Sequence, residues 1–258
     1  MTKLIEHPSG IDDKNIYYKV TNQSECHYGF QYHDGLNHLK GSLAKTGSYV
    51  PGGLYFTDLA HITLHLVHGV YVREVQIPPG SLVVEDRGAW RTNQLWFGHR
   101  WGLVDFLRDH ASSWGVHDWS RISRCGRLTA SFIREFSDRV DWYSITHYQL
   151  LSEALIREFS DRVNWSRISQ RHDISETFIR EFANLVDWYL ISQRRDLSEA
   201  FIREFADRVD WYFIRQRKDL SAEFMQEFFP PSTRRYKISP YLQSPYLQCY
   251  IDKLDSKV

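Results

Sequence analysis

The chain has 258 residues, 42 % of them hydrophobic and 15 % aromatic, enough to bury a real core and too much for a disordered polymer. Lys plus Arg equals Asp plus Glu at 32 each, so no overall field favours nucleic acid or an anionic membrane as partner. Cys26, Cys125 and Cys249 are odd in number and far apart, which argues against a disulfide framework or a cysteine zinc site; with no signal-peptide core at the start and no run near the roughly 18 apolar residues of a spanning helix, the expectation is a soluble intracellular protein.

Residues 1–15 are polar, carry Pro8 and Gly10, and read as a loose lead-in to a strand at 16–20 (IYYKV). The stretch ECHYGFQYHDGLN (25–37) mixes aromatics and histidines around two glycines and has no clear secondary structure. A short strand LYFTD (54–58) ends in Thr57 and Asp58, which suit the cap of a helix over LAHITLHLVH (59–68) that Gly69 stops. VYVREVQI (70–77) alternates like a half-buried strand, PPG (78–80) makes a turn, and SLVVED (81–86) is a further strand. The Trp-, Arg- and Gly-rich residues 90–101 close a small α+β domain over 1–100. GLVDFLRDHASSWG (102–115) then places Leu103, Leu107 and Trp114 on one helical face, so 101–118 reads as a capping helix.

From there the chain repeats itself. Trp119, Trp142, Trp165, Trp188 and Trp211 stand 23 residues apart, as do Phe136, Phe159, Phe182, Phe205 and Phe228. A fixed period of this size means one supersecondary unit that gains a core only by stacking on its copies. Ser or Thr at 129, 152, 175, 198 and 221 caps a first helix, and Asp or Asn at 118, 141, 164, 187 and 210 caps a second, shorter one. Phe201, Ile202, Phe205 and Val209 form one helical stripe, opposite Glu199, Arg203, Glu204, Asp207 and Arg208. Ser137, Ser160, Ala183 and Ala206 keep one position small. The fold class expected is an α+β N-terminal domain followed by an α-solenoid of short two-helix repeats, mostly α overall, with the array at 119–229 and its Trp and Phe columns buried. Residues 230–258 open on Pro230 and Pro231 and hold SPYLQ twice. They read as a C-terminal cap, with a peptide-like docking motif as the alternative.

YYKVTN (17–22), HYGFQYHDGLN (27–37), VPGGLYFTDLAHI (50–62), VYVREVQIP (70–78) and AWRTNQ (89–94) together resemble the N-terminal region of repeat proteins of giant amoeba-infecting viruses, commonly named for ankyrin-type repeats. Arrays of the SEAFIREFADRVDW kind resemble the same proteins. The resemblance implies a shared front domain joined to a surface that holds other proteins, and places the chain in the host cytoplasm, the virus factory or the virion. The repeats depart from the ankyrin pattern, being 23 residues long and lacking TPLHxA.

Candidate chemistry is sparse. His61, His65 and His68 lie at i, i+4 and i+7 of the expected helix, a spacing that can hold a metal, although a polar stripe explains them equally. The order GGLYFTD, helix, VYVREVQIP, SLVVED is similar to the middle of ADP-ribosyltransferase-like domains. That resemblance implies that Tyr55 stacks on nicotinamide, with His27 and Glu74 as partners for ribose binding and electrophile activation. Arg134, Arg157, Arg180 and Arg203 beside Glu135, Glu158, Glu181, Glu204 and Glu227 make rows of charge that could read a partner or simply pair with one another. Common nucleotide and hydrolase motifs are missing from the sequence. The leading reading is a non-enzymatic protein–protein interaction scaffold with no cofactor, no nucleic acid and no membrane; its rival is a transferase-like front domain that binds a nicotinamide dinucleotide. Partner contacts are assigned to Tyr189, Leu190, Tyr212 and Phe213, where apolar character grows along the exposed starts of the short helices, with the C-terminal tail as the other group able to cover them.

Overall fold

The computed structural model of the chain describes residues 3–6, 16–47, 50–86, 88–125 and 128–230. The tail from residue 231, expected to be a cap, and Cys249 lie outside these residues. Two compact units are present, Met1–Leu151 and Ser152–Val258.

The first unit is sheet-rich. Where a loose lead-in was expected, Lys3–Glu6 forms strand β1; there follow β2 (Tyr17–Thr21), β3 (Cys26–His27), β4 (Phe30–Gln31), β5 (Gly35–His38), β6 (Leu54–Phe56), β7 (Tyr71–Gln76), β8 (Leu82–Asp86), β9 (Ala89–Thr92) and β10 (Gln94–Gly102). One antiparallel sheet runs in the order β1-β8-β9-β6, a second in the order β2-β7-β10-β5, and β3-β4 make a two-stranded ribbon. Tyr17, Phe56, Val75, Val83, Leu95 and Phe97, drawn from both large sheets, share one apolar core. The period of two along β2 sends Tyr17 and Lys19 to one face and Tyr18 to the other, where Tyr18 meets Phe106 edge to face at 5.1 Å.

The helix expected over 59–68 is not formed. Ile62–Leu64 and Leu66–His68 are separate 3₁₀ turns, closed by bonds from Leu64 N to His61 O (3.0 Å) and from His68 N to His65 O (3.0 Å). Ile62, Thr63 and Leu66 go inside while Leu64 and Val67 stay out. Gly69 ends the segment because the chain there touches β2. A Cβ at Gly69 would stand 1.8 Å from the Thr21 carbonyl oxygen, so no other residue fits.

After β10 come α1 (Leu103–Asp109), α2 (Val116–Ser123), α3 (Ala130–Glu135) and α4 (Trp142–Tyr148), and in the second unit α5 (Glu153–Glu158), α6 (Trp165–Ser169), α7 (Glu176–Glu181), α8 (Trp188–Ser192), α9 (Glu199–Glu204), α10 (Trp211–Arg215) and α11 (Ala222–Phe228). The expected caps recur: Ser175 Oγ accepts from Phe178 N, Ser198 Oγ from Phe201 N, and Asp187 from Tyr189 N and Leu190 N. Asp118 differs. It lies inside α2, where it accepts from Gly115 N (3.1 Å) and from Thr63 Oγ1 (2.7 Å), because α2 starts before the point at which the repeat pattern sets in.

Within the second unit the deepest residues are Phe178, Phe201 and Phe224 with Ile156, Ile179 and Ile202, all at most 1 % exposed. The Trp and Phe columns prominent in the sequence sit one layer out. Trp165, Trp188, Phe182 and Phe205 are half-buried, whereas the two end copies of the Trp column, Trp119 and Trp211, are buried. Each ring packs on the next repeat, as Trp188 does on Phe205 at 4.7 Å. Each indole N–H is tied back to a carbonyl five residues earlier: Trp165 to Ser160, Trp188 to Ala183 and Trp211 to Ala206, at 2.8 to 2.9 Å.

Phe178→Ala is therefore expected to destabilise the chain by about 3–5 kcal/mol, the range for a fully buried aromatic. Trp165→Ala should cost clearly less. Urea unfolding of the full chain measures both, and an equal or reversed order would contradict this layering.

Candidate functional site

In the second unit each short helix starts on an Asp or Asn cap, turns its Trp inward and points the following residue outward. Tyr189 is 57 % exposed and Tyr212 51 %. Tyr189 meets Phe213 edge to face at 5.1 Å, and Phe213 meets Tyr212 at 5.2 Å. Three of the four residues assigned to partner contacts thus form one aromatic cluster. Leu190, half-buried, holds the register that Phe213 occupies one repeat later. In the first unit Tyr143 follows its cap in the same way and is equally exposed.

The charged rows are spent on one another. Arg157 Nε donates to Glu181 (2.7 Å), Arg180 Nε to Glu204 (2.7 Å) and Arg203 Nε to Glu227 (2.8 Å). The same guanidiniums lie over Phe178, Phe201 and Phe224 at 4.9 to 5.1 Å. In these pairs the side chains are largely in water, so each contributes little to stability.

The first unit holds a cavity of about 50 Å³ whose walls include Lys19, His27, Tyr28, Tyr55, His65 and His68. It has room for a few waters or a ligand's head group. Two of the residues implied by the transferase resemblance, His27 and Tyr55, come together here. Tyr55 is a wall, not a platform: its ring is buried, its hydroxyl donates to Val50 O and accepts from Val50 N (both 2.9 Å), and Arg91 Nη1 reaches it at 3.1 Å. Glu74 is not among the lining residues. It pairs across β2-β7 with Tyr18, and directly opposed residues share a face, so it belongs to the side opposite Lys19.

The fold does not gather His61, His65 and His68 into one cluster. His61 Nδ1 is engaged by Asp58 at 2.7 Å, His65 and His68 stack at 6.1 Å between centroids, and among the described residues no group of three or more His, Cys, Asp or Glu side chains could hold an ion. The i, i+4, i+7 spacing was meaningful only on the α-helix that the 3₁₀ turns replace.

Lys19, at the centre of the cavity's chemistry, was missed in the sequence. It is 4 % exposed, donates to the Tyr55 carbonyl (2.9 Å) and lies 4.8 Å from the centroid of Tyr32. Burial brings its ammonium down to about 7. Burial, followed by the charge of Lys19, also pushes His27 down to about 4 and lowers His68; His65 falls to about 4 through burial and then its neighbours His68, Lys19 and His61. The one signal available was a lysine inside IYYKV, a run otherwise suited to burial.

Among proteins of Acanthamoeba polyphaga mimivirus, "Uncharacterized protein R869" is 33 % identical over 117 residues, covering 43 % of this chain and 78 % of that protein. "Putative ankyrin repeat protein R868" is 49 % identical over 65 residues, 24 % of this chain and 32 % of its own length. "Putative ankyrin repeat protein R229" is 32 % identical over 106 residues, 35 % of this chain and 34 % of its own length. The matches thus span about a third of each of the last two. No family model matches the chain, and no solved structure matches it significantly.

Lys19, His27 and His65 hold fewer protons in the fold than in the unfolded chain, so stability rises with pH wherever the unfolded chain is still protonated and the fold is not. That window runs from about 4 to 6.5 for the two histidines and from about 7 to 10.5 for Lys19. Glu25, held below its usual value by Arg73, acts in the same direction at the acid end. The first unit should accordingly lose stability between pH 6.5 and 4 and gain it above 7, read by amide exchange of β2 and β6 in the full chain. His27→Gln combined with His65→Gln should flatten the acid limb.

Proposed function

This chain belongs to the giant-virus family that includes R869 and the ankyrin-named proteins above, and we propose that it is a non-enzymatic interaction protein whose repeats hold another protein. The observation that carries this reading is the aromatic cluster of exposed Tyr189 and Tyr212 with half-buried Phe213 on the short helices, while the Arg and Glu rows of the long helices are paired with one another. Tyr is a favoured interface anchor because it presents a large rigid area with a polar tip, whereas self-paired Glu and Arg offer little net attraction. The repeat gives such anchors regular spacing on a scaffold set by capped helices. Leu190 adds apolar area beside them. Action inside the infected host cell, in the cytoplasm or the virus factory, or within the virion, is part of the same proposal.

No helix among the described residues is long and apolar enough to cross a membrane. The relatives' names speak of ankyrin repeats; here the repeating unit is 23 residues, shorter than the about 33 of an ankyrin repeat, so any shared role rests on stacked helices, not on ankyrin geometry.

Tyr189→Ala combined with Tyr212→Ala tests the reading. As exposed substitutions they should leave stability within about 0.5 kcal/mol, yet each should weaken partner binding by about 2 kcal/mol or more if it is an anchor. Proteins captured from infected amoebae by the wild-type chain should be lost with the double variant. Capture of the same proteins at the same strength by both would refute the assignment.

A further inference from the structure

We propose that the cavity of the first unit is a binding site for a small oxyanion, the carboxylate or phosphate head group of a ligand, held by Lys19 together with His27, His65 and His68. The site is separate from the aromatic cluster of the repeats and does not depend on that reading.

The lining is one-sided in charge. Among the described residues it carries the Lys19 amine and three imidazoles, and no Asp or Glu. Glu25, which lines the adjoining cleft, is occupied by Arg73, whose Nε and Nη2 reach its two carboxylate oxygens at 2.7 Å each. Asp58 is occupied by His61. Lys19 is buried, yet of its three N–H donors one meets the Tyr55 carbonyl, and its other neighbour is the face of Tyr32. No carboxylate contributes to its electrostatics, and burial alone accounts for its lowered basicity.

A second observation points to the same ligand. His65 Nε2 is buried and has no hydrogen-bond partner among the described residues, while the same ring bonds to the Gly88 backbone and lines the cavity. Buried polar atoms are nearly always satisfied, and one left open beside an under-used ammonium marks the place of an acceptor. An oxyanion supplies several lone pairs for bonds from the Lys19 ammonium and from imidazole N–H groups, and a negative charge that favours the charged form of the amine. The cavity volume of about 50 Å³ suits such a head group, and His68, exposed beside His27 at 5.7 Å between ring centroids, stands at the rim where it would enter.

The test is an NMR titration of the full chain with inorganic phosphate and, separately, with acetate, following the ring signals of His27, His65 and His68. The expected result is a saturable shift of these signals with at least one probe, the tighter probe naming the head group. Lys19→Met keeps the aliphatic stem and should weaken binding about tenfold or more with the amide spectrum otherwise preserved. Should that variant fail to fold, His68→Gln at the exposed rim is expected to weaken binding about threefold. No saturable shift with either probe overturns the site, as does unchanged affinity in whichever variant folds.

Discussion

Helices of five to seven residues, such as α5 to α11, are far below the roughly 12–15 residues at which an isolated helix begins to hold in water, so the second unit depends on bonds between repeats. One set of these is a serine relay. Ser169 and Ser192 donate to the carbonyls of Trp165 and Trp188 in their own helices and accept the backbone N–H of Asp187 and Asp210 in the next repeat, at 2.6 to 2.8 Å. The residue so anchored is the N-cap of the following short helix. One hydroxyl therefore both ends one helix and positions the start of another. Ser123 and Asp141 make the same bond in the first unit.

Around that relay the exposed charges act as brackets. Glu176 and Glu199 accept from the N–H groups of Ser198 and Ser221, the N-caps of the next long helices, while pairing with Arg180 and Arg203 on their own. Arg194 and Arg217 reach back to the carbonyls of Ile174 and Leu197, each holding an Asp two residues on. An array built this way can be electrically neutral and rich in charge at once. What it leaves without a bracket is the position after each cap, and there the residues change from Ser166 to Tyr189 and Tyr212. On the proposed reading, binding by this surface rests on aromatic contact and not on field.

The first unit treats buried charge in two ways. Arg73 is satisfied by a two-point contact with Glu25 and by Asp34 at 2.8 Å, the arrangement in which burial of an ion pair is tolerable. Lys19, its neighbour across β2-β7, has no such acid. A buried amine without a counter-ion is costly to keep charged, and its positive field also suppresses protonation of the histidines around it. The difference between these adjacent cations separates the part of the unit that serves stability from the part that is free to serve a ligand.

Read alone, the sequence determined the repeat, its period, both kinds of cap and the two-part architecture, because capping and stacking are local chemistry that recurs visibly at fixed spacing. It also singled out Tyr189, Leu190, Tyr212 and Phe213, since exposure after a cap follows from helix geometry. It misjudged depth: Trp165 and Phe182 are conspicuous because they recur, but depth is set by how repeats stack, and stacking placed Phe178 and Phe201 further inside. Only the tertiary structure decided the cavity. Lys19, His27, Tyr55 and His65 are far apart in the chain and meet because an antiparallel sheet, a ribbon and two 3₁₀ turns converge there, and no local spacing encodes a meeting of strands that are distant in sequence. That His65 and His68 line the cavity was likewise decided by the fold, through the two 3₁₀ turns that replace the expected helix.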